Sequence, residues 1–262
     1  AEVVVLPRVL PLPGARSLGS GIGSEGSVPH MVALHGEDDQ TVREYRDGDD
    51  LRRIHWPATA RTGELMVRQE DRPAKRRAVV ILDSRRSGHG GTGRSSSLEW
   101  CVTMAASVTA HVVDAGYAVH LVTADPGSDT GIHHDESHDA GLETLARVTL
   151  RSDDSLRAVL HAASVLTSQG GLVVYIGGPL GDTDVRTLAA LRQPGSTGAA
   201  MVIDPRAFTG RQRAGSDADT TLAETTVAGL RSSGWVATVV DGQTTPPVAW
   251  GVLVGAPAVG AR

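Results

Sequence analysis

Histidines and carboxylates are concentrated in one short stretch, residues 133–138, which reads His-His-Asp-Glu-Ser-His. Three imidazoles and two carboxylates are side chains that zinc accepts as ligands. A working zinc site also needs packed neighbours that orient those ligands, and the polar surroundings of this stretch are typical of a solvated loop. We therefore interpret residues 133–138 as a loop with at most adventitious metal binding.

A glycine pattern at residues 21–26 formally matches the dinucleotide-binding fingerprint. The fingerprint works only where a strand runs into a helix. No helical pattern follows residue 26, and Pro29 intervenes, so these residues are interpreted as a flexible linker. The chain contains no Walker A sequence, so ATP hydrolysis is not supported.

Nucleophilic catalysis needs a nucleophile paired with a base, and the sequence shows no such pair. His55 stands between Ile54 and Trp56 and is interpreted as a packed structural histidine. Residues 95–97 are three serines without a Gly-x-Ser-x-Gly turn around them, which favours helix capping over catalysis. Cys101 falls on the apolar face of a predicted helix and is expected to be an inert core residue. The prediction is that this chain is not an enzyme.

Composition narrows the possible partners. The formal net charge of -5 argues against a general nucleic-acid or membrane-surface binder. The single cysteine excludes a disulfide within the chain and a multi-cysteine metal site. No apolar run reaches the roughly 18 residues of a membrane helix. Residues 2–7 are interpreted as a strand stopped by proline and not as a signal peptide.

From residue 78 onward, apolar β-branched runs alternate with stretches of helical periodicity. Strands are predicted at 78–82, 117–123, 131–134, 172–176, 199–203 and 236–240. A capping box at residues 96–99 opens a helix that Gly116 ends, and further helices are predicted at about 140–150, 153–167, 183–192 and 222–232. Strands alternating with helices predict an α/β domain at 78–262, with a mainly parallel sheet covered on both faces.

Residues 1–77 have a different character. The apolar start, interrupted by Pro7, Pro11 and Pro13, favours an edge strand, and a Gly/Ser-rich stretch at 17–27 follows it. Residues 43–77 hold ten basic and seven acidic residues, so they are locally positive. We predict a small β-rich or irregular N-terminal segment over 1–77.

One stretch, residues 43–67, carries a spaced pattern of several residue types. It combines Arg-x-Tyr-x-x-Gly-Asp, Arg-x-Ile-x-Trp, Ala-Arg and Leu-x-Val, and its key positions are Arg43, Tyr45, Gly48, Asp49, Arg52, Ile54, Trp56, Ala60 and Arg61. This closely resembles the signature of the bacterial "domain of unknown function 58" family. The signature spans about a tenth of the chain.

The resemblance implies a von Willebrand factor A-like (Rossmann-like) domain after the signature. It also implies membrane helices upstream of this chain, and hence a place on the cytoplasmic face of the bacterial inner membrane. Relatives commonly occur beside MoxR-type AAA+ ATPases and transglutaminase-like membrane proteins. Those two classes are the expected partners, with no nucleic acid and no membrane contact other than through the upstream helices.

The resemblance also points to one possible metal site. The von Willebrand A fold often holds a divalent cation through Asp-x-Ser-x-Ser after its first strand, and the corresponding stretch here is Asp83-Ser84-Arg85-Arg86-Ser87. Asp83 and Ser87 match, but Arg85 brings a positive charge to the middle position. Gly177 follows the fourth strand where a carboxylate is expected, although Asp182 and Asp184 come later. The expectation is a decayed site with no cofactor, and Mg²⁺ or Mn²⁺ is the alternative.

Elementary physics gives the signature two possible roles. Asp49 or Asp50 can cap a short helix near Leu51 that Pro57 would stop, while Ile54 and Trp56 bury apolar surface. Arginines paired with aspartates would then form a salt-bridged clamp that docks residues 1–70 onto the α/β domain. A basic and aromatic partner site is the other possibility, and it requires an exposed Arg/Trp cluster. The clamp is favoured.

The sequence thus predicts a non-catalytic scaffold or adaptor module. Open α/β sheets bind ligands at the carboxyl ends of their strands, so the predicted partner surface contains Arg85, Arg86 and Arg94. The alternative is a divalent-metal-dependent ligand-binding domain of the von Willebrand A type.

Overall fold

A computed structural model describes residues 4–14, 42–46, 51–68, 76–124, 130–132, 138–168, 170–209 and 221–255. The strands are β1 (Val42–Glu44), β2 (Met66–Arg68), β3 (Arg77–Leu82), β4 (Ala118–Val122), β5 (Thr130–Ile132), β6 (Leu172–Gly177), β7 (Thr197–Ile203) and β8 (Val236–Val240). The α-helices are α1 (Trp56–Thr62), α2 (Ser97–Asp114), α3 (His138–Ala146), α4 (Ser155–Thr167), α5 (Asp182–Ala189), α6 (Leu222–Ser232) and α7 (Pro246–Val254). Short 3₁₀ turns occupy Leu51–Arg53, Arg86–Gly88, Gly93–Ser95 and Pro205–Phe208.

The chain divides into two compact units. The larger one is an α/β unit whose six-stranded sheet has the order β5-β4-β3-β6-β7-β8. Five strands are parallel, and β5 pairs antiparallel with β4 at one edge. The predicted mixed α/β fold with a mainly parallel sheet is confirmed.

Both faces of this sheet are covered, because the central strands are apolar on both sides. One core cluster packs α2, α3 and α7 against the sheet, and the other packs α4, α5 and α6 against the opposite face. Cys101 lies fully buried in the first cluster, as predicted, and burial raises the pKa of its thiol well above the ordinary value.

Residues 4–14 belong to the α/β unit, whereas the sequence placed them in the N-terminal segment 1–77. The predicted edge strand is wrong for these residues, since none of them is in a strand. Prolines remove the backbone donors that strand pairing needs. The segment instead donates from the Leu10 amide to Ser107 Oγ on α2 (2.9 Å) and buries Leu12 in the core.

The smaller unit contains the signature region. β1 and β2 form an antiparallel pair, and α1 lies between them in the chain. Pro57 does not stop a helix there. It lies in the first turn of α1, where a missing backbone donor has no cost, and His55 caps the same turn by accepting from the Ala58 amide (3.1 Å).

Helix α7 has no counterpart among the predicted elements. Its residues are apolar all round, so they show no amphipathic period, and two prolines stand at its start. Among the residues described, no helix is long and apolar enough to cross a membrane.

Candidate functional site

The candidate site lies at the carboxyl ends of the central strands, where β3 and β6 run into loops. Asp83 directly follows β3, is only 1% exposed, and donates its backbone amide to the Ile176 carbonyl oxygen (3.0 Å). A buried carboxylate needs compensating donors or a cation, because burial removes its hydration. The neighbours of Asp83 therefore determine what this edge can do.

Arg85 supplies that compensation. Its Nε lies 3.0 Å from both carboxylate oxygens of Asp83, and its Nη2 donates to Oδ2 at 2.8 Å. The Arg85 backbone amide adds a bond to Oδ1 (3.0 Å). Burial by itself lowers the pKa of Arg85. The hydrogen bonds and charge of Asp83 outweigh that effect, so the pKa lies above its ordinary value. The guanidinium is therefore permanently charged.

Tyr175 approaches the same carboxylate from β6. Its hydroxyl lies 2.9 Å from Asp83 Oδ2 and 2.8 Å from the Gly178 carbonyl oxygen, so one proton serves two acceptors. Burial raises the pKa of Tyr175 well above its ordinary value, and the nearby Asp83 charge adds to this. The phenol stays protonated and acts as a donor.

Two glycine-containing loops meet beside this cluster. A Cβ on Gly178 would collide with the backbone of Gly88, and one on Gly177 would collide with the side chain of Asp83. Glycine therefore allows the loop after β3 and the loop after β6 to touch through their backbones. Arg85 ties them further by donating from Nη2 to the Pro179 carbonyl oxygen (3.1 Å).

A serine and a histidine are also hydrogen-bonded here, which sequence reasoning missed. His89 Nε2 lies 2.8 Å from the Asp83 carbonyl oxygen, and its Nδ1 lies 3.0 Å from Ser97 Oγ. Since a carbonyl only accepts, Nε2 carries the proton and neutral Nδ1 accepts from the hydroxyl. Ser97 Oγ in turn accepts from the Gly90 amide (2.9 Å).

This pair is arranged for structure and not for hydrolysis. Ser97 is 0% exposed, so no substrate reaches its hydroxyl in this conformation. The outer nitrogen of His89 bonds to the backbone carbonyl of Asp83 and not to a carboxylate, unlike the histidine of a Ser-His-Asp triad. Ser96 caps α2 through the Glu99 amide (3.3 Å), which fits the predicted capping role.

The state of His89 gives a prediction for pH dependence. Burial lowers the pKa of His89, so the folded protein holds it neutral, while the unfolded chain takes up a proton near about pH 6.5. The stability that neutral His89 contributes is fully present above that pH and is lost as the pH falls. In His89→Gln, the decrease in unfolding free energy between about pH 7.5 and 5.5 should be smaller, by up to about 1.4 kcal/mol per pH unit.

Denaturant unfolding at several pH values measures this slope. His161→Gln, which changes an exposed histidine of α4, is the matched control and should keep the wild-type slope. Burial also lowers the pKa of His111, so some pH dependence should remain in the His89 variant. An unchanged slope in His89→Gln would contradict the assignment.

The metal-ligand candidates do not converge. Both oxygens of Asp83 already accept donors, and Ser87 is exposed, with its backbone amide bonded to Asp153 Oδ1 (3.2 Å). Asp182 and Asp184 lie in the first turn of α5. Within the described ranges, no group of three or more His, Cys, Asp or Glu residues is placed to hold a metal. The residues present do not fit a Mg²⁺ or Mn²⁺ site. Residues 133–137 of the histidine-rich stretch lie outside the described residues.

The predicted arginine surface is only partly present. Arg86 and Arg94 are exposed, but Arg85 is 8% exposed and faces Asp83. Its inclusion in an open charged surface was wrong, because the carboxylate of a residue two positions earlier binds it. The spacing of Asp83 and Arg85 in the sequence could have suggested that they pair. The burial that strengthens the pair cannot be read from the neighbouring residues.

The signature residues are distributed over the smaller unit. Arg43 lies in β1, the Tyr45 amide donates to the Leu65 carbonyl oxygen (2.8 Å), and Ile54 is buried and bridges to Val67. Arg52, Ala60 and Arg61 are exposed, while Gly48 and Asp49 lie outside the described residues.

Trp56 is 65% exposed, which overturns its predicted burial. No residue of helix α1 is buried, so the tryptophan shares its exposure with the rest of that helix.

A family model described as "Protein of unknown function DUF58" matches residues 41–208, which include the signature and the strands β3 to β7. The chain belongs to this family. Uncharacterized proteins of Mycobacterium bovis and of two Mycobacterium tuberculosis strains are each 26% identical over 188 residues, covering 69% of this chain and 58% of their own length. The DUF58 chain thus spans under two thirds of these relatives. No solved structure matches it.

Proposed function

We propose that this DUF58 chain is a non-catalytic adaptor module of a membrane-anchored bacterial protein, and that it binds a MoxR-type AAA+ ATPase or a membrane partner. The supporting observation is the state of the strand-end loops. Every buried polar group singled out there (Asp83, Arg85, Tyr175, His89 and Ser97) is occupied by another group of the same protein. That leaves a loop surface with exposed arginines, and none of these five buried groups is free to act in catalysis.

The finer fold assignment belongs to the same proposal. The strand order, with an antiparallel edge strand beside an otherwise parallel sheet, supports a von Willebrand factor A-like domain. Such sheets bind at the carboxyl ends of their strands. Exposed Arg86 and Arg94 on the loop after β3 favour an acidic patch on the partner.

A pull-down of this chain against a MoxR-type ATPase, with and without ATP, tests the proposal. Arg86→Glu combined with Arg94→Glu should reduce the retained ATPase by at least about tenfold, because opposite charges at an interface become like charges. Arg77→Glu is the matched control, since Arg77 is exposed at the amino end of β3, the opposite end of the strand. Absence of binding in both nucleotide states would overturn the partner assignment.

A further inference from the structure

The acceptor capacity of Asp83 is used up by groups of the protein itself. An ionised carboxylate has about four lone-pair sites on its two oxygens. Four donor groups point at them: the backbone amide, Nε and Nη2 of Arg85, and the hydroxyl of Tyr175. These donors already surround both oxygens, so a metal ion would have to displace at least one of them.

The guanidinium also has the position and charge that a cation would have. It is buried against Asp83, with its side chain 9% exposed, at the end of a parallel sheet where the resemblance places a divalent cation. Two positive charges a few ångströms apart repel strongly where water is excluded. A divalent ion cannot bind Asp83 while Arg85 is in place.

The hydrogen bonds of Asp83, Arg85 and Tyr175 also hold two loops together. Asp83 and Arg85 belong to the loop after β3, and Pro179 and Gly178 belong to the loop after β6. The Arg85–Pro179 hydrogen bond crosses between the two loops. The Tyr175–Asp83 hydrogen bond joins the end of β6 to the loop after β3, and the same hydroxyl bonds to Gly178 in its own loop. In a metal-dependent site this bridging falls to the ion and its ligands.

We infer that the Arg85 guanidinium takes the place of a divalent cation. As a permanent part of the chain, it keeps the strand-end loops in one arrangement whether or not such ions are present. This goes beyond the proposed adaptor function and does not depend on the identity of a partner. Loop shape, and any binding that uses it, is then insensitive to Mg²⁺, Mn²⁺ and chelators.

Thermal unfolding with MnCl2, MgCl2 or EDTA at constant ionic strength tests the inference. The wild-type Tm should not change with any of them. Arg85→Ser removes the charge and frees the Asp83 oxygens, so its Tm should be lower than that of the wild type. That Tm should rise with the logarithm of the Mn²⁺ concentration once the ion exceeds its Kd, by about 3 °C at roughly ten times the Kd.

Two further variants separate a cation replacement from a merely structural residue. Arg85→Lys keeps the positive charge but lacks the planar guanidinium that donates several hydrogen bonds at once. This variant should therefore be less stable than the wild type and still show no response to Mn²⁺. Arg85→Ser combined with Asp83→Asn lacks the ligand and should not respond either. If Arg85→Ser does not fold alone, refolding yield with and without Mn²⁺ is the readout, and rescue is expected.

A wild-type Tm that rises with Mn²⁺ concentration would overturn the inference, and so would an Arg85→Ser variant whose Tm does not respond to Mn²⁺ and whose refolding Mn²⁺ does not rescue. Both outcomes are read without a partner. They are therefore distinguishable from a failed pull-down, which bears on the adaptor proposal alone.

Discussion

Asp83→Ala is expected to lower the free energy of unfolding by about 3–5 kcal/mol. The substitution leaves the Arg85 guanidinium in a buried position without its carboxylate, and an uncompensated buried charge is among the costliest defects in a protein. Asp83 is also the acceptor for Tyr175, so the loop after β6 loses a contact as well. Chemical denaturation with a two-state fit measures the effect.

The paired variant gives the sharper test. Asp83→Ala with Arg85→Met removes both charges, so it should recover a large part of the loss. Asp154→Ala is the matched control: Asp154 is exposed and makes no capping hydrogen bond to α4, so its loss should stay within about 0.5 kcal/mol. A double variant as unstable as Asp83→Ala would show that the carboxylate acts through something other than Arg85.

Trp250→Ala is expected to cost about 3–5 kcal/mol of unfolding free energy. Trp250 lies fully buried on α7 and contacts His111 of α2 edge-on, with ring centroids 5.5 Å apart. Its removal leaves a large cavity in the core cluster that α7 shares with α2 and the sheet. Thermal and chemical unfolding should agree on the loss.

The tryptophan N–H makes a milder substitution informative. In the part of the chain that the structure describes, Trp250 Nε1 is buried without a hydrogen-bond partner. Trp250→Phe removes that unsatisfied donor while keeping a ring, so it should cost clearly less than Trp250→Ala. Val252→Ala, at a 58% exposed position of the same helix, should stay within about 0.5 kcal/mol. Equal losses for the alanine variants of Trp250 and Val252 would contradict the role of α7 as a core element.

The signature region shows where a sequence pattern identifies a family without revealing its structural role. The pattern at 43–67 lies inside the matched family region. The predicted helix stop at Pro57 and burial of Trp56 were wrong, because both depend on what packs around them. Trp56, Arg52 and Arg61 are each exposed, so the basic and aromatic partner site stays the alternative prediction for this region. Docking of residues 1–70 as a clamp stays a prediction.

Local regularities allowed most of the α/β unit to be predicted. The strand at 78–82 and the helix at 222–232 are where the sequence placed them, since hydrophobic period and capping residues act within a few positions. The helix over 246–254 was missed because an element that is apolar on every side has no period to detect.

By itself, the sequence determined the family and the order of strands and helices from β3 to α6. Only the tertiary structure decided which groups surround the carboxylate of Asp83. Tyr175 reaches Asp83 because β6 pairs in parallel with β3, with Tyr175 opposite Ile81, although 92 positions separate the two hydrogen-bonded residues. Strand order and register set such contacts, and burial then converts an ordinary Asp–Arg spacing into a strong pair. Neither the strand register nor the burial of the pair can be read from a few neighbouring residues.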